Sequence, residues 1–328
     1  MTDGALRFFE VSRTGDMIKP KSYGSLPFPR LYMGSRGGKS DGSMPEGIAA
    51  LKAFAVERGY QAVRVLVHEG DAYVFKLRVP TLSVAEIGPA IESALEENIP
   101  VPPADALFEY GVISVDRIRS ETIVAVSVVS EKMVSEYLKI FESSSLVPIS
   151  FETESRAIAR ALIRPDDQAV RAVISIKARH SVIFVAEGDK VTFSSSVEVG
   201  SSDLSRAVEK AFGAPLQKQP IDGELFSAML PVFAILQGEL DKVIAYSKTE
   251  AKRTSRGDAD GGIEDIEEVL LSGSDARIPG FARYISLASK VPVRVGSVWV
   301  NILSLDKEVP ALDEKSSLDY DSLIGAHL

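Results

Sequence analysis

At 328 residues the chain is long enough for about two domains of ordinary size, and its 45% apolar and 25% charged residues provide ample material for a core. With 37 Lys and Arg against 46 Asp and Glu, the net charge of −9 argues against a nucleic-acid binder, because phosphate backbones require a basic face. The lack of cysteine excludes disulfides, zinc knuckles and a thiol nucleophile. His68, His180 and His327 show no metal-ligand spacing, so no metal site is expected. The longest apolar run, the nine residues Ala228–Leu236, falls far short of the roughly 20 needed to cross a bilayer. The opening Met1-Thr2-Asp3-Gly4-Ala5-Leu6-Arg7 lacks the shape of a signal peptide, and a soluble, cytoplasmic protein is expected.

In chain order, Ala5–Ser12 reads as a strand, and Thr14-Gly15-Asp16 as a turn into a second strand that ends at Gly24-Ser25. The polar stretch from Gly34 to Gly42 is a loop. It superficially suggests a phosphate-binding Walker loop, but Gly34 and Gly38 enclose three residues rather than four, and Pro27 and Pro29 stand where an apolar strand should. A helix is expected from Pro45 to about Glu57, closed by Gly59, followed by strands at Val63–Val67 and Tyr73–Val79 around a Glu69-Gly70-Asp71 turn. Ser83 and Glu86 form a capping box, and Ile87, Ile91 and Leu95 continue one helical face, with a kink or later start expected at Gly88-Pro89. Ile99-Pro100-Val101-Pro102-Pro103 stops that helix. Strands follow at Leu107–Val115 and Thr122–Val129.

A helix over Glu131–Ser143 should bury Met133, Tyr137 and Ile140 or Phe141; a short strand, Val147–Phe151, leads into a helix over Glu154–Ile163. After the polar Arg164–Gln168 the pattern restarts. Val170–Ile176 is an apolar strand, and Ser181–Glu187 and Lys190–Val199 flank a Gly188-Asp189 hairpin turn. Helices are expected over Asp203–Phe212, ending on Gly213, and over Glu224–Ser247, where Pro231 marks a kink or the true start. Ala251–Gly262 reads as a flexible insertion, its Lys252, Arg253 and Arg256 offset by Asp258 and Asp260 as a solvated loop face. Glu268–Leu271 is a strand ending in Ser272-Gly273-Ser274. The two Gly-Asp hairpins lie about half the chain apart, which points to an internal duplication of a strand–hairpin–helix unit within an α/β protein.

Several segments in this order resemble the PilM family of type IV pilus assembly proteins, relatives of the cell-division protein FtsA. The most specific is Leu95-Glu96-Glu97-Asn98-Ile99-Pro100-Val101-Pro102 followed by Glu109-Tyr110-Gly111-Val112-Ile113. Others are Leu146-Val147-Pro148 with Phe151-Glu152-Thr153-Glu154 and the helix after it, Ser272-Gly273-Ser274 with Ile278-Pro279-Gly280-Phe281, and the closing Leu318–Ala326. The resemblance covers nearly the whole chain. It implies an actin-like (ribonuclease H-like) duplicated two-domain ATPase fold around a nucleotide cleft. The first half would be residues 1–164, with a small inserted subdomain at about 81–129; the second would be 165–328, with a C-terminal helix at about 318–327. It further implies a cytoplasmic protein, held peripherally at the inner membrane by gripping the short cytoplasmic N-terminal peptide of a PilN-like pilus protein and working with pilus motor or platform proteins. An FtsA-like division protein fits less well, because no amphipathic membrane helix follows Gly325-Ala326-His327-Leu328.

The resemblance also points to cleft residues. In an actin-like site two glycine-bearing hairpins hold the phosphates through backbone N–H groups, and a carboxylate on each first strand organises Mg²⁺ and water. Asp3 and Gly4 stand where the tail of the first phosphate loop would fall, without the apolar half-strand that precedes it in the family; a frayed terminus, or a start lying further upstream, explains them equally. At the second loop the family's Asp-Ile-Gly appears as Ser175-Ile176-Lys177, so a hydroxyl replaces the carboxylate and a lysine the glycine. On the adenosine side, Gly200-Ser201 and Gly273-Ser274 each keep one glycine of a pair, and both also fit ordinary strand-end turns. Glu154 is a candidate water-orienting base, or a solvated first-turn glutamate. The expectation is a pilus scaffold with a degenerate nucleotide site. The cofactor the resemblance implies is ATP, with Mg²⁺ only if ATP binds. The alternative is an active ATPase whose N-terminus is missing from this chain.

Overall fold

The computed structural model describes residues 5–14, 17–28, 44–80, 83–116, 118–213, 216, 222–254, 265–302 and 312–328. Asp3, Gly4, the Gly15-Asp16 turn, the Gly34–Gly42 loop, Arg256, Asp258 and Asp260 lie outside these residues. Two compact units divide the chain between Arg156 and Ala157.

In unit 1, β1 (Ala5–Thr14) and β2 (Met17–Pro27) form an antiparallel hairpin with a bulge between Glu10 and Val11. Helix α1 (Met44–Arg58) packs Phe54 against Phe8 of β1, their rings 4.7 Å apart, and the Tyr60 hydroxyl donates to Glu10 Oε2 at 2.6 Å. Strand β3 (Ala62–Val67) runs parallel to β7 (Val147–Thr153). Between them in sequence come β4 (Ala72–Pro80), α2 (Val84–Asn98), β5 (Ala106–Asp116), β6 (Glu121–Ser130) and α3 (Glu131–Ser143). The middle three strands make an antiparallel sheet in the order β4-β6-β5.

Ile87, Ile91, Leu95 and Ile99 bury one face of α2 against Val124, Val126 and Val128 of β6. The Glu86 carboxylate accepts both the Ser83 N–H (3.0 Å) and its hydroxyl (2.6 Å), and those bonds hold Glu86 below its usual range. Contrary to the expected kink or late start, α2 is helical from Val84 straight through Pro89. Pro89 removes only the bond back to Ala85, near an end where N–H groups lack helical partners anyway, and the apolar face outweighs it. Helix α3 buries Met133 and Tyr137, as its periodicity predicts, and both Ile140 and Phe141 where one of the two was expected, in a cluster with Val65 and Val67 of β3.

Unit 2 holds a five-stranded sheet in the order β10-β9-β8-β11-β12, built from β8 (Val170–Ile176), β9 (Ser181–Glu187), β10 (Lys190–Val197), β11 (Glu268–Gly273) and β12 (Val293–Val295). Strand β9 runs antiparallel to its two neighbours β8 and β10, whereas β11 and β12 run parallel to β8. Helices α5 (Ser201–Phe212), α6 (Gly223–Thr254) and α7 (Phe281–Ser289) accompany them, and α4 (Glu154–Leu162) begins in unit 1 and continues into unit 2 from Ala157. Helix α6 is longer than expected at both ends and continuous through Pro231, with Leu225 and Met229 on the preceding turns fully packed; residues 251–254 are therefore helix rather than insertion. Phe233 from α6 stacks on Phe281 of α7 at 4.4 Å. In place of the closing helix expected at about 318–327 come a 3₁₀ turn (Leu318–Tyr320) and a short helix, α9 (Asp321–Gly325), preceded by α8 (Glu314–Ser317). No helix among the described residues is long and apolar enough to cross a membrane.

Candidate functional site

The residues of unit 2 that the second phosphate loop would use converge at the C-terminal ends of β8 and β11. Strand β8 delivers Ser175, and Lys177 follows it into a tight loop in which the Lys177 N–H bonds the His180 carbonyl at 2.9 Å. Strand β11 delivers Ser272 and Gly273, and the first turn of α9 delivers Asp321 and Ser322.

At the centre sits Asp321, with no solvent exposure. Its Oδ1 accepts the Lys177 ammonium and the Ser322 N–H (2.6 Å), and its Oδ2 accepts the hydroxyls of Ser175 and Ser272, each at 2.7 Å. Four donors saturate a carboxylate's acceptor sites in a region where an unpaired charge would be costly. Lys177, itself buried, is thereby neutralised from within the protein. Arg160 on α4 fixes the other end of α9, its Nε and Nη2 donating to the Gly325 carbonyl at 3.2 and 3.1 Å.

The backbone groups beside this network are also engaged. Helix α5 begins beside the loop, and the N–H groups of Ser201 and Ser202 donate to the carbonyls of Lys177 (2.9 Å) and Ala178 (2.8 Å). Gly200 N–H bonds Asp203 Oδ2 at 3.0 Å. The helix start that would ordinarily attract an anion is capped by its own chain. Gly200 and Gly273 are required by close approach: a Cβ on Gly200 would fall against the Lys177 carbonyl and Arg179 N, and one on Gly273 against the Ile176 carbonyl, all nearer than the 3.0 Å real Cβ atoms respect. Gly273 also has φ +90°. Ser274 N–H caps the same Ile176 carbonyl at 3.2 Å. Nearby, burial and then the Asp319 carboxylate hold Asp275 above the usual carboxylate range.

The structure brings Ser175, Lys177, Gly200, Ser201, Gly273 and Ser274 together. Glu154 belongs to unit 1, as the first residue of α4, and accepts the N–H of buried Glu69 at 3.2 Å. Glu69 returns the bond, its carboxylate taking the Ser155 N–H (2.8 Å) and hydroxyl (2.7 Å), so Glu154 takes part in a reciprocal clasp on the helix start. Sequence reasoning missed Asp321, Ser272 and Glu69. Nothing local in the sequence around Val173–Lys177 points to Asp321 as the partner.

No protein-family model and no curated protein matches the sequence. Among solved structures, the chain superposes on one from a PilM-PilN type IV pilus biogenesis complex with a TM-score of 0.74 at 17% identity, covering 99% of this chain and 95% of that one. It is also similar to MreB5 of Spiroplasma citri bound to ADP (TM-score 0.49, 9% identity, 93% and 78% covered). A third likeness is to the cytoplasmic domain of EpsL, an inner-membrane component of the Vibrio cholerae type II secretion system (0.42, 10%, 83% and 79%). The first of these shows the fold: it is the actin-like ATPase fold that the sequence resemblance implied.

Proposed function

We propose that this chain is a cytoplasmic, PilM-like scaffold of a type IV pilus inner-membrane platform. It grips the N-terminal cytoplasmic peptide of a PilN-like membrane protein and passes that attachment to motor or platform proteins, with a nucleotide site that does not turn over. The match over 99% of the chain to a structure named for a PilM-PilN complex supports the scaffold and its partner. In this reading the halves are residues 1–164, with 81–129 as the inserted subdomain, and 165–328.

The observation that carries the non-catalytic part is the buried Lys177–Asp321 pair. In the actin-like arrangement a loop carboxylate organises Mg²⁺ and water while free N–H groups hold phosphate. Here the position of that carboxylate is Ser175, which donates to Asp321 rather than accepting from metal-bound water. The Asp321 carboxylate at these strand ends is saturated by protein donors, and the cation beside it is already paired. ATP and Mg²⁺ are thus at most weak ligands, and Glu154 has no hydrolytic role.

Binding of a labelled N-terminal cytoplasmic peptide from the cognate membrane pilus protein, followed by fluorescence anisotropy, tests the partner. Saturable binding at about 1–10 µM is expected, equal with and without Mg-ATP. No binding at about 1 mM peptide would remove the scaffold reading.

A further inference from the structure

The β4-β6-β5 sheet of unit 1 has two outer strands of opposite character. Strand β4 carries Lys76, Arg78 and a closing Pro80, residues by which proteins commonly blunt a strand edge against pairing. Strand β5, just as accessible in sequence terms, has no lysine, arginine or proline along its 11 residues. Instead it is built from strand formers: Leu107, Phe108, Tyr110, Val112, Ile113 and Val115. The charge in the body of the strand, Glu109, is neutralised within the chain by both terminal nitrogens of Arg156.

This apolar strand is exposed. Leu107, Val112 and Val115 keep 43%, 38% and 50% of their surface, and Ile118, in the turn that leads to β6, keeps 97%. The turn holds Ile118 out firmly, because Asp116 Oδ1 accepts the N–H groups of Ile118 (2.9 Å) and Arg119 (3.0 Å). A Cβ added at Gly111 would meet nothing within 4 Å, so the middle of the strand has room for another backbone to approach.

We propose that β5 pairs with the β5 of a second copy of this chain, antiparallel about a two-fold axis, so that two three-stranded sheets become one of six in the order β4-β6-β5-β5-β6-β4. The charges at the strand's ends select this occupant. Exposed Asp105 lies just before β5 and Arg119 just after it, each seven residues from Val112. An antiparallel pair centred on Val112 therefore sets Asp105 of one copy against Arg119 of the other, and the two-fold repeats that match at the opposite end. With Glu109 already neutralised, no like charges meet along the body of the paired strands. The pairing takes exposed Val112 and Val115 of both copies out of water.

Sedimentation velocity over about 1–200 µM protein should show a monomer–dimer equilibrium with a Kd of about 10–50 µM. Val112→Lys with Val115→Lys, both at exposed positions, should weaken the dimer at least about 10-fold while the far-UV circular dichroism is unchanged. Because the chain has no cysteine, single cysteines report the geometry directly. Val112→Cys should give an oxidised dimer, since β-carbons facing each other across an antiparallel pair lie about 5 Å apart. Leu107→Cys, about 34 Å from its copy in this arrangement, should not. A chain that stays monomeric at about 200 µM would overturn the proposal, as would a dimer indifferent to the two lysines. Equal cross-linking through Leu107→Cys and Val112→Cys, or β5 amides protected from exchange only by a different protein, would also overturn it.

Discussion

Asp321→Ala will destabilise unit 2 by about 3–5 kcal/mol, the cost of leaving a buried cation without its counter-ion. Lys177 is buried and loses its partner, and the hydroxyls of Ser175 and Ser272 lose the acceptor they share. Trp299, the single tryptophan and fully buried in unit 2, reports the loss directly through its fluorescence during urea unfolding. The double variant Lys177→Met with Asp321→Leu should recover most of the stability, because a well-packed apolar pair replaces an ion pair at little cost. If Lys177→Met alone, Asp321→Leu alone and the double variant are all equally damaged, the pair is not the coupled unit described above.

Gly273→Ala is expected to cost about 3 kcal/mol or more, combining left-handed backbone strain with a collision against the Ile176 carbonyl. Gly213→Ala is the control. Gly213 also has a positive φ, +69°, but nothing lies within 4 Å of the added carbon, so only about 1 kcal/mol is expected. The same Trp299 unfolding transition measures both. Equal costs would mean that backbone conformation alone, and not the close approach of β11 to the end of β8 at Ile176, requires glycine at 273.

What was legible in the sequence follows from how local each cause is. The periodicity of α3 specifies its buried residues because Met133, Tyr137, Ile140 and Phe141 fall on one face whatever they pack against. Pro89 and Pro231 mislead for the opposite reason: a local rule predicts a break, while packing by Ile91 and Leu95, or by Met229 and Phe233, overrides it. Strand β12, three residues long, is too short to carry a pattern and exists because β11 offers it a parallel edge. At the candidate site, Ser175 and Lys177 are visible as departures from a family motif. Their partner Asp321 lies 144 residues from Lys177 and reaches it only through the folding of the closing helix. Ser272 and the clasp between Glu69 and Ser155 are similarly long-range, and no spacing rule identifies them.

Whether the Asp321 carboxylate and the backbone carbonyls of unit 2 already engage the groups that would hold phosphate in an actin-like site is tested most directly by isothermal titration of the protein with Mg-ATP, with phosphate release followed in parallel. The prediction is no saturable heat up to about 1 mM nucleotide, a free energy of binding weaker than about 4 kcal/mol, and no phosphate release. Tight, Mg²⁺-dependent binding with turnover would contradict it, and would mean that Asp321 gives up Lys177 when nucleotide arrives.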